Sequence, residues 1–370
     1  MVTETYPPEI NGVAMTLSRL VAGLQARGHE VQLIRPRQAP DASAAPGRSN
    51  TVLMRGLPIP RYPHLRMGLP ARRQLLSLWT VRRPDIVHIA TEGPLGWSAL
   101  QAARKLKLPV SSDFRTNFHA YSRHYGVGWL QKPIAAYLRK FHNLAHCTMV
   151  PTAELQAALD GLRFERLQVV ARGIDTVAFH PVHRDPALRA QWGVADGDRV
   201  VLYVGRLAPE KNLSLLATAF SAMLAVDPRL KLVVVGDGPS RSELQVQCPT
   251  ARLVGSQTGV ALARHYASAD LFLFPSLTET YGNVVPEALA SGLAVVAFDH
   301  AAAGELIEHG HNGLLAPLGD EATFVRRACE LAGLASLGRQ LQARARESVL
   351  QRDWGTIVAE VEDIWRGLLR

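Results

Sequence analysis

The segment with the clearest chemical content is a nine-residue string that begins at Glu279 and ends at Glu287, here called the glutamate string. It follows an apolar run at 271–274 that predicts a strand, and open α/β sheets bind ligands beyond the carboxyl ends of their strands. Gly282 and Asn283 allow a tight loop whose backbone N–H groups face a phosphate. The two carboxylates can accept hydrogen bonds from hydroxyls at both ends of one ligand, and a sugar and a ribose joined by a diphosphate fit that description. Either glutamate alone is more often an ordinary first-turn acid or a solvated loop residue.

A second polar segment, the Arg–Lys block of residues 205–212, begins at Gly205 directly after another predicted strand. Arg206 offers a planar fork for phosphate oxygens, and Lys211 offers a mobile positive charge. Together they can neutralise a leaving diphosphate without a metal ion. Surface Arg and Lys after a strand are common, so the interpretation depends on the glutamate string as well.

Weaker signals come from three other loops. Gly12, in a turn-rich loop before a helix, lets the backbone approach a phosphate or sugar closely. Gly236 follows a strand, and its turn is a candidate for holding a nucleotide base. Asp113, Arg115 and His119 come after a predicted strand of the first half, where they would face a cleft. Each of these residues is equally expected in a loop with no chemical task.

Several catalytic signatures are missing from the sequence. It contains no GxGxxG after a strand, no GxxxxGK[ST], no HExxH and no GxSxG. The only Asp-x-Asp, at 196–198, precedes a predicted strand and indicates a turn. The sequence therefore predicts neither a bound metal ion nor a cofactor.

Composition and charge limit the class of protein. The 370 residues are 47% hydrophobic and 20% charged, which is typical of a packed protein of two α/β domains. The net charge of +9 suits nucleic acid, a membrane surface or a phosphorylated substrate. The basic segments lack the interleaved aromatics of a single-strand binding platform, so no nucleic-acid partner is expected. No apolar run approaches the ~20 residues that span a bilayer. Three widely separated cysteines favour a reduced, cytoplasmic setting.

The order of apolar runs predicts the domain organisation. Short β-rich runs alternate with segments of helical period in two independent series, which indicates parallel sheets in two Rossmann-like domains. The segment 172–198 lies between the series and has no clear period, so a boundary is predicted there. Only Met1 and Val2 precede the polar residues 3–8, whereas such a domain normally opens with an apolar strand. Either this strand is unusually short or the native chain begins upstream, and we favour the second hypothesis.

Taken together, these motifs resemble those of the family 4 retaining glycosyltransferases, and the resemblance covers nearly the whole chain. The matching residues occur in the family's order: the Asn11-Gly12-Val13 loop, Gly173, Ile174, Asp175 and Phe179, the Arg–Lys block, the Gly236-Asp237-Gly238-Pro239 turn and the glutamate string. The resemblance implies the GT-B fold, with two facing Rossmann-like domains, a deep cleft and a C-terminal helix that crosses back. The implied domains are 1–172, 173–352 and the returning helix 353–370.

The resemblance also implies roles for the donor-binding residues. Glu279 is expected to contact the donor sugar hydroxyls and Glu287 the ribose, while Arg206 and Lys211 hold the diphosphate. The backbone groups of Asn283 and Val284 are expected to assist. Such enzymes retain the anomeric configuration and need no metal, with a nucleotide sugar as donor substrate.

One position departs from the family pattern. Members commonly carry histidine after the aromatic residue at the end of a first-domain strand, and this chain has Arg115 there, after Phe114. The histidine's role cannot be transferred to an arginine. We expect Arg115 to bind a phosphate or an acidic acceptor and His119 to lie near the reacting sugar.

Within the family, the sequence is most similar to bacterial mannosyl-, glucosyl- and sulfoquinovosyl-type enzymes that act on lipid acceptors. A GDP-mannose-dependent α-mannosyltransferase acting on a lipid or glycan hydroxyl is the first expectation. A UDP-hexose glycolipid synthase is the alternative, and a nucleotide-sugar 2-epimerase or a non-catalytic binding protein ranks lower.

An anionic membrane surface is a further candidate partner, and it would place the protein on the inner face of the plasma membrane. Segment 72–83 places Leu75, Leu76, Leu78 and Trp79 between arginine pairs, and segment 128–140 mixes apolar and basic residues in the same way. Helices of this kind can lie in the interface. The alternative is that their apolar stripes face the protein core.

Overall fold

The computed structural model describes residues 1–9, 11–38, 50–59, 62–115 and 131–370. The chain divides into two compact units. Unit 1 comprises Met1–Gly173 and Trp354–Arg370, and unit 2 comprises Ile174–Asp353. Both units are built mainly from parallel strands with intervening helices, which confirms the predicted α/β class.

The strands of the described residues form one main parallel sheet in each unit. In unit 1 the order is β5-β6-β7-β8, with two small additional sheets, parallel β1-β2 and antiparallel β3-β4; in unit 2 it is β11-β10-β9-β12-β13-β14. The strands are β1 Leu33–Pro36, β2 Thr51–Met54, β3 Gly56–Ile59, β4 Tyr62–Gly68, β5 Val87–Ile89, β6 Val110–Asp113, β7 Cys147–Val150, β8 Leu167–Val169, β9 Val200–Val204, β10 Lys231–Val235, β11 Arg252–Leu253, β12 Leu271–Phe274, β13 Ala294–Phe298 and β14 Leu314–Ala316.

The α-helices connect these strands and cover them. They are α1 Gly12–Ala26, α2 Arg72–Val81, α3 Pro94–Lys105, α4 Gln131–Asn143, α5 Ala153–Gly161, α6 Pro186–Gln191, α7 Leu213–Val226, α8 Arg241–Gln247, α9 Gly259–Ala267, α10 Val284–Ala290, α11 Ala301–Leu306, α12 Glu321–Gly333, α13 Ala335–Ala345 and α14 Trp354–Leu368. None of the helices in the described part of the chain is both long enough and apolar enough to cross a bilayer.

Two of the hydrophobic clusters in unit 1 pack its sheet against helices. One core joins the sheet to α2, α3 and α4 through buried residues such as Leu75, Leu100 and Phe141. The other joins it to α1 and α14 through residues such as Leu24 and Val358. A side chain at Gly23 would lie 2.5 Å from a Val358 methyl, so α1 and α14 approach closely only because position 23 is glycine. The C-terminal helix therefore completes the first unit.

The amphipathic segments of the membrane hypothesis bury apolar residues within unit 1. Leu75 and Trp79 of α2 are 0% and 2% exposed, and Leu76 and Leu78 pack partly against the same cluster. The expectation that the apolar stripe of 72–83 inserts into a membrane is therefore wrong, because burial in the protein already removes it from water. In segment 128–140, Leu138 is buried in a different cluster, with Ile134 packed partly against it; Trp129 and Leu130 lie outside the described residues.

Unit 2 has the strand order of a doubly wound dinucleotide-type sheet. Numbered by sequence within the unit, its strands follow the order 3-2-1-4-5-6. All five residues of β9 and of β13 are buried, as expected for strands covered by helices on both faces. Successive strands are therefore added to one side of the sheet from β9 to β11 and to the other side from β12 to β14, so the direction of addition reverses between β9 and β12.

Candidate active site

The candidate site of unit 2 lies where β9 and β12 part. The two strands are neighbours, with Phe272 opposite Leu202, but the chain continues from β9 to one side of the sheet and from β12 to the other. Connections that diverge in this way leave a crevice at the carboxyl ends of the strands, which is the ligand position in such sheets. The Arg–Lys block follows β9 and the glutamate string follows β12. The fold therefore brings the two strongest sequence motifs to the same place.

Lys211 and Glu279 form the centre of this site. Lys211 ends a short 3-10 turn, Pro209–Lys211, and its Nζ makes an ion pair with Glu279 Oε1. Ser276 Oγ donates a hydrogen bond to the same oxygen at 2.7 Å. The two charged side chains are only 12% and 15% exposed, so their attraction is screened less than that of a surface pair. The pair therefore places a cation beside a carboxylate that can accept hydrogen bonds from hydroxyl groups.

Arg206 is held by an acid that the sequence interpretation did not single out. Its guanidinium NH2 pairs with Glu210 Oε1, and the Glu210 side chain is fully buried while Arg206 stays 40% exposed. Tyr203, also buried, donates its hydroxyl proton to the Arg206 carbonyl oxygen at 3.3 Å. A buried carboxylate one turn from an arginine fixes the direction of the guanidinium. The only signal for Glu210 in the sequence was its place inside the Arg–Lys block.

Glu287 lies in the first turn of α10 and bonds to α9. The Tyr266 hydroxyl donates to Glu287 Oε2 at 2.9 Å. Desolvation by burial raises the pKa of Glu287 to about 7, although the Tyr266 hydrogen bond acts in the opposite direction. The carboxyl group therefore changes its charge near neutral pH, and hydroxyl donors from a ligand would favour the ionised form.

Gly205 and Gly236 have a structural explanation. They directly follow β9 and β10, and a side chain at position 236 would lie 1.8 Å from the Gly205 carbonyl oxygen. Gly236 also has a φ of +141°, which side chains with a Cβ rarely adopt. The Gly205 N–H bonds to the Val235 carbonyl at 3.0 Å. These glycines let the two strand-end loops lie against each other, and no observation places a ligand on them.

The loop of the glutamate string contains the predicted tight turn. Gly282 has a φ of +89°, and its carbonyl accepts a hydrogen bond from Val285 N at 3.1 Å. Asn283 precedes the helix and Val284 is its first residue. This turn redirects the chain from β12 into α10 within the glutamate string. Glu279 therefore lies before the helix and Glu287 lies inside it.

In unit 1, Gly12 opens helix α1. Asn11 caps this helix, since its side-chain oxygen accepts from Ala14 N at 2.9 Å. Asn11 also donates to Thr5 Oγ1 at 2.7 Å, and Thr5 donates to the buried Glu9 carboxylate at 2.5 Å. The Asn-Gly-Val loop is thus tied to the preceding polar segment.

Arg115 is part of a buried chain of polar contacts. Its Nε donates to Asp113 Oδ2 at 2.6 Å, and His88 Nε2 lies 3.0 Å from the same oxygen. Burial acts to raise the pKa of Asp113, but the Arg115 guanidinium and the hydrogen bonds from His88 and Arg115 outweigh it and hold that pKa well below its usual range. Asp113 is therefore an anion that fixes the guanidinium at the carboxyl end of β6. The companion candidate, His119, lies outside the described residues.

The sequence and structure also match known proteins. Residues 10–178 match the profile "Glycosyltransferase Family 4", and residues 198–333 match "Glycosyl transferases group 1". A GDP-mannose-dependent alpha-mannosyltransferase of Mycobacterium tuberculosis is 34% identical over 98% of this chain and 94% of its own length. A sulfoquinovosyl transferase of Arabidopsis thaliana is 28% identical over 84% of this chain and 62% of its own length. Anabaena HepE, solved with UDP and glucose, superposes with a TM-score of 0.73 at 20% identity, covering 99% of this chain and 98% of that one.

These similarities establish the fold of the protein and the family to which it belongs. The fold is the GT-B fold of glycosyltransferases, shared with the solved neighbours at TM-scores above 0.7. The chain belongs to the family 4 glycosyltransferases, because relatives more than 30% identical match it over nearly its full length. The predicted class of enzyme, a hexosyltransferase that uses a nucleotide sugar, is therefore confirmed.

Proposed function

We propose that the enzyme transfers a mannosyl group from GDP-mannose to a hydroxyl of a lipid or glycan acceptor, with retention of configuration and without a metal ion. The observation that carries the chemistry is the Lys211–Glu279 pair at the reversal between β9 and β12. The choice of donor rests on three relatives described as GDP-mannose-dependent alpha-mannosyltransferases, at 32–34% identity.

The site offers one group for each part of the donor. Glu287 would accept hydrogen bonds from the ribose hydroxyls, and its raised pKa means that binding draws off the proton. Lys211 and Arg206 would hold the diphosphate, assisted by the backbone of Asn283. Glu279 would accept from sugar hydroxyls, in place of the Ser276 hydroxyl that bonds to it without ligand.

Transfer needs stabilisation of the leaving diphosphate above all. As the bond from the anomeric carbon to the phosphate oxygen breaks, the acceptor oxygen bonds to that carbon from the same face. The acceptor proton passes to the departing phosphate. Negative charge grows on the phosphate, and Lys211 and Arg206 are the cations placed to stabilise it.

The Asp-x-Asp sequence supports the proposal of metal-free chemistry. Gly197 between the two aspartates has a φ of +87°, and Asp198 Oδ2 accepts a hydrogen bond from Ala195 N at 3.0 Å. These residues form a turn before β9. Activity should therefore survive exhaustive EDTA treatment, and loss of activity restored by Mn²⁺ or Mg²⁺ would contradict this part of the proposal.

The donor is tested by following nucleotide release and product configuration with GDP-mannose, UDP-glucose and ADP-glucose. We expect GDP-mannose to give the highest kcat/KM and an α-linked product by NMR. Preference for UDP-glucose would favour the second candidate, a UDP-hexose glycolipid synthase, for which alpha-monoglucosyldiacylglycerol synthases at 25–28% identity are the supporting relatives. Conversion of the donor alone into an epimer would instead indicate an epimerase.

A basic helical face in unit 1 supports a lipid acceptor presented at an anionic membrane. Helices α2, α3 and α4 contain no acidic residue. They lie side by side on one face of the sheet, with Trp97 of α3 5.6 Å from Tyr137 of α4. We propose that this face docks electrostatically, each cation near acidic lipid contributing about 1 kcal/mol. Its exposed cations include Arg72, Arg73, Arg104, Lys105, Arg139 and Lys140.

Vesicle flotation tests the docking. The enzyme should float with acidic vesicles, stay in solution with neutral ones, and lose binding at high salt. Arg72→Glu/Arg73→Glu should weaken binding, whereas Arg252→Glu/Arg339→Glu, at exposed positions of unit 2, serves as the control of equal charge change. Equal effects of the two double variants would show that net charge alone, and not this face, is responsible.

A further inference from the structure

The motif of Gly173, Ile174, Asp175 and Phe179 lies apart from the Arg–Lys block and the glutamate string in the sequence. Its residues 175–179 form a single turn at the start of unit 2, here called the Phe179 turn. The Asp175 carbonyl accepts a hydrogen bond from Phe179 N at 2.9 Å, and Asp175 Oδ1 accepts one from Ala178 N at 2.9 Å. An aspartate that bonds to the backbone of its own turn fixes the shape of that turn. The motif therefore determines where the Phe179 ring lies.

The Phe179 ring packs against Tyr266, a tyrosine of α9. Their ring centroids are 5.5 Å apart and their planes differ by 85°, which is the edge-to-face arrangement that aromatic pairs favour. Phe272 of β12 contacts the same tyrosine, with the ring centroids 5.8 Å apart. Tyr266 is 0% exposed. Contacts with two other rings in a close-packed interior leave the Tyr266 ring little freedom to move.

The Tyr266 hydroxyl bonds to the Glu287 carboxylate. It donates to Oε2 at 2.9 Å, and in the part of the chain that the structure describes Tyr266 is the side chain that contacts this carboxylate. The bond leaves Oε1 for a ligand hydroxyl. A glutamate side chain that is held in place before binding loses less conformational entropy when a ligand arrives. Tyr266 thus orients Glu287 in the absence of a ligand.

Arg346 joins the Phe179 turn to the helix that carries Glu287. Its NH1 donates to the Phe179 carbonyl at 2.9 Å and to the Ala290 carbonyl at 2.7 Å, and its NH2 donates to the Thr176 carbonyl at 3.0 Å. Ala290 is the last residue of α10. Hydrogen bonds from a charged donor are stronger than those between neutral groups. One side chain therefore ties the turn that supports Tyr266 to the helix that positions Glu287.

We propose that Tyr266 is a positioning residue for donor recognition, and that the Phe179 turn and Arg346 hold it in place. Its hydroxyl fixes the Glu287 carboxylate in the orientation that accepts hydrogen bonds from the ribose hydroxyls of the nucleotide sugar. The inference rests on the proposed function, because the ribose contact of Glu287 belongs to that proposal. The motif at residues 173–179 then serves donor binding indirectly, through the Tyr266 hydroxyl.

The ionisation of Glu287 agrees with this role. Burial raises the pKa of Glu287 to about 7, and the Tyr266 hydrogen bond acts to lower it. Without that bond the pKa would rise further, since the ionised carboxylate would lose a donor. Tyr203 lies near Tyr266, and Arg346 contacts α10 at Ala290. Among the described residues neither of these two groups bonds to the carboxylate, so removal of the Tyr266 hydroxyl is the change expected to shift this pKa.

The test removes only the hydroxyl, by Tyr266→Phe, and measures the binding of GDP and of 2′,3′-dideoxy-GDP by calorimetry. A phenylalanine ring keeps the contacts with Phe179 and Phe272. At pH 8 the Kd of GDP should rise about tenfold, as for loss of a hydrogen bond to a charged group, while the Kd of the dideoxy nucleotide should change by less than about twofold. The pH below which GDP binding weakens should rise by about one unit. The corresponding UDP pair is measured alongside, because the ribose contact does not depend on the base.

Two further variants separate positioning from general stability. Tyr137→Phe, the same chemical change in α4 of unit 1, should alter neither the Kd values nor their pH dependence. Phe179→Leu should weaken GDP binding in the unaltered enzyme but add almost nothing in the Tyr266→Phe background, because Phe179 acts through the hydroxyl. Circular dichroism and Tm confirm that each variant is folded.

Three results would overturn the inference. Equal losses of affinity for GDP and the dideoxy nucleotide in Tyr266→Phe would show that Tyr266 supports the unit without orienting Glu287. Ribose discrimination and pH dependence as strong in Tyr266→Phe as in the unaltered enzyme would show that the hydroxyl is dispensable, and the inference would fail while the proposed function stands. Equal binding of both nucleotides by the unaltered enzyme would mean that Glu287 does not contact the ribose, and the proposed function would then fail at this residue as well.

Discussion

Lys211 and Glu279 are 68 residues apart in the sequence and are joined by an ion pair in unit 2. Each follows a different strand of the sheet, β9 and β12, and those strands are neighbours. One reversal of the strand order therefore positions the cation and the carboxylate that we propose bind the diphosphate and the sugar hydroxyls. In the proposed function, donor binding exchanges this ion pair for contacts with the diphosphate and the sugar.

Replacing Lys211 by Ala should lower kcat by a factor of order one hundred. One well-placed charge on a developing anion is worth roughly 3 kcal/mol in the transition state. Lys231→Ala, at the opposite end of β10, is the control and should leave kcat unchanged. Steady-state kinetics on variants with unchanged circular dichroism make the comparison. Full activity of Lys211→Ala would mean that the diphosphate is held elsewhere.

Glu210→Gln should lower kcat/KM roughly tenfold with little change in Tm. Glu210 acts through Arg206, and a hydrogen bond to a charged group is worth about 1.5–3 kcal/mol. A double-mutant cycle separates this role from a structural one: in an Arg206→Ala background, Glu210→Gln should cost almost nothing further. Additive losses in the cycle would show that Glu210 does not act by positioning Arg206.

Binding of GDP-mannose should weaken as pH falls below about 7. In the proposed function, ribose hydroxyls donate to the Glu287 carboxylate, whose pKa burial raises to about 7, so protonation would remove the acceptor. The expected dependence approaches tenfold in Kd for each pH unit. Calorimetry at several pH values measures it, and Glu287→Gln should bind more weakly with a flat profile. A flat profile for the unaltered enzyme would remove Glu287 from the ribose site.

The stability of the ligand-free enzyme should show the opposite sign. A raised pKa means that the folded state favours the neutral carboxyl, so this stabilisation is present at low pH and is lost as pH rises through about 7. Tm should fall between about pH 4.5 and about pH 7 by more in the unaltered enzyme than in Glu287→Gln. Glu4, whose pKa burial also raises to about 7, contributes equally to both. Parallel Tm curves would contradict the assignment.

Gly236→Ala should destabilise unit 2 by about 3 kcal/mol or more. The new Cβ would meet the Gly205 carbonyl oxygen at 1.8 Å, and backbone cannot yield as a side chain can. Gly161→Ala is the matched control, because nothing lies within 4 Å of its Cβ and it ends helix α5. That variant should change stability by no more than about 1 kcal/mol. Chemical denaturation provides both values.

The sequence by itself determined the local elements and the chemical character of the site. Buried parallel strands are continuously apolar, so β12 could be predicted at its observed bounds, residues 271–274. The antiparallel pair β3-β4 was missed, since it is short and interrupted by prolines, which weaken the strand signal. The donor residues could be proposed because polar residues that follow apolar strands lie at the ligand-binding edge.

Only the tertiary structure decided which of these residues meet. Burial of Glu210, the Tyr266 hydroxyl on Glu287 and the His88–Asp113–Arg115 chain each join segments through strand order and packing, which no local pattern records. The same reason explains the error over α2. An apolar stripe with basic flanks is identical in sequence whether it faces a bilayer or a core. Leu75 and Trp79 are buried against the sheet, so the protein core already shields these side chains from water and they are not available to insert into a bilayer.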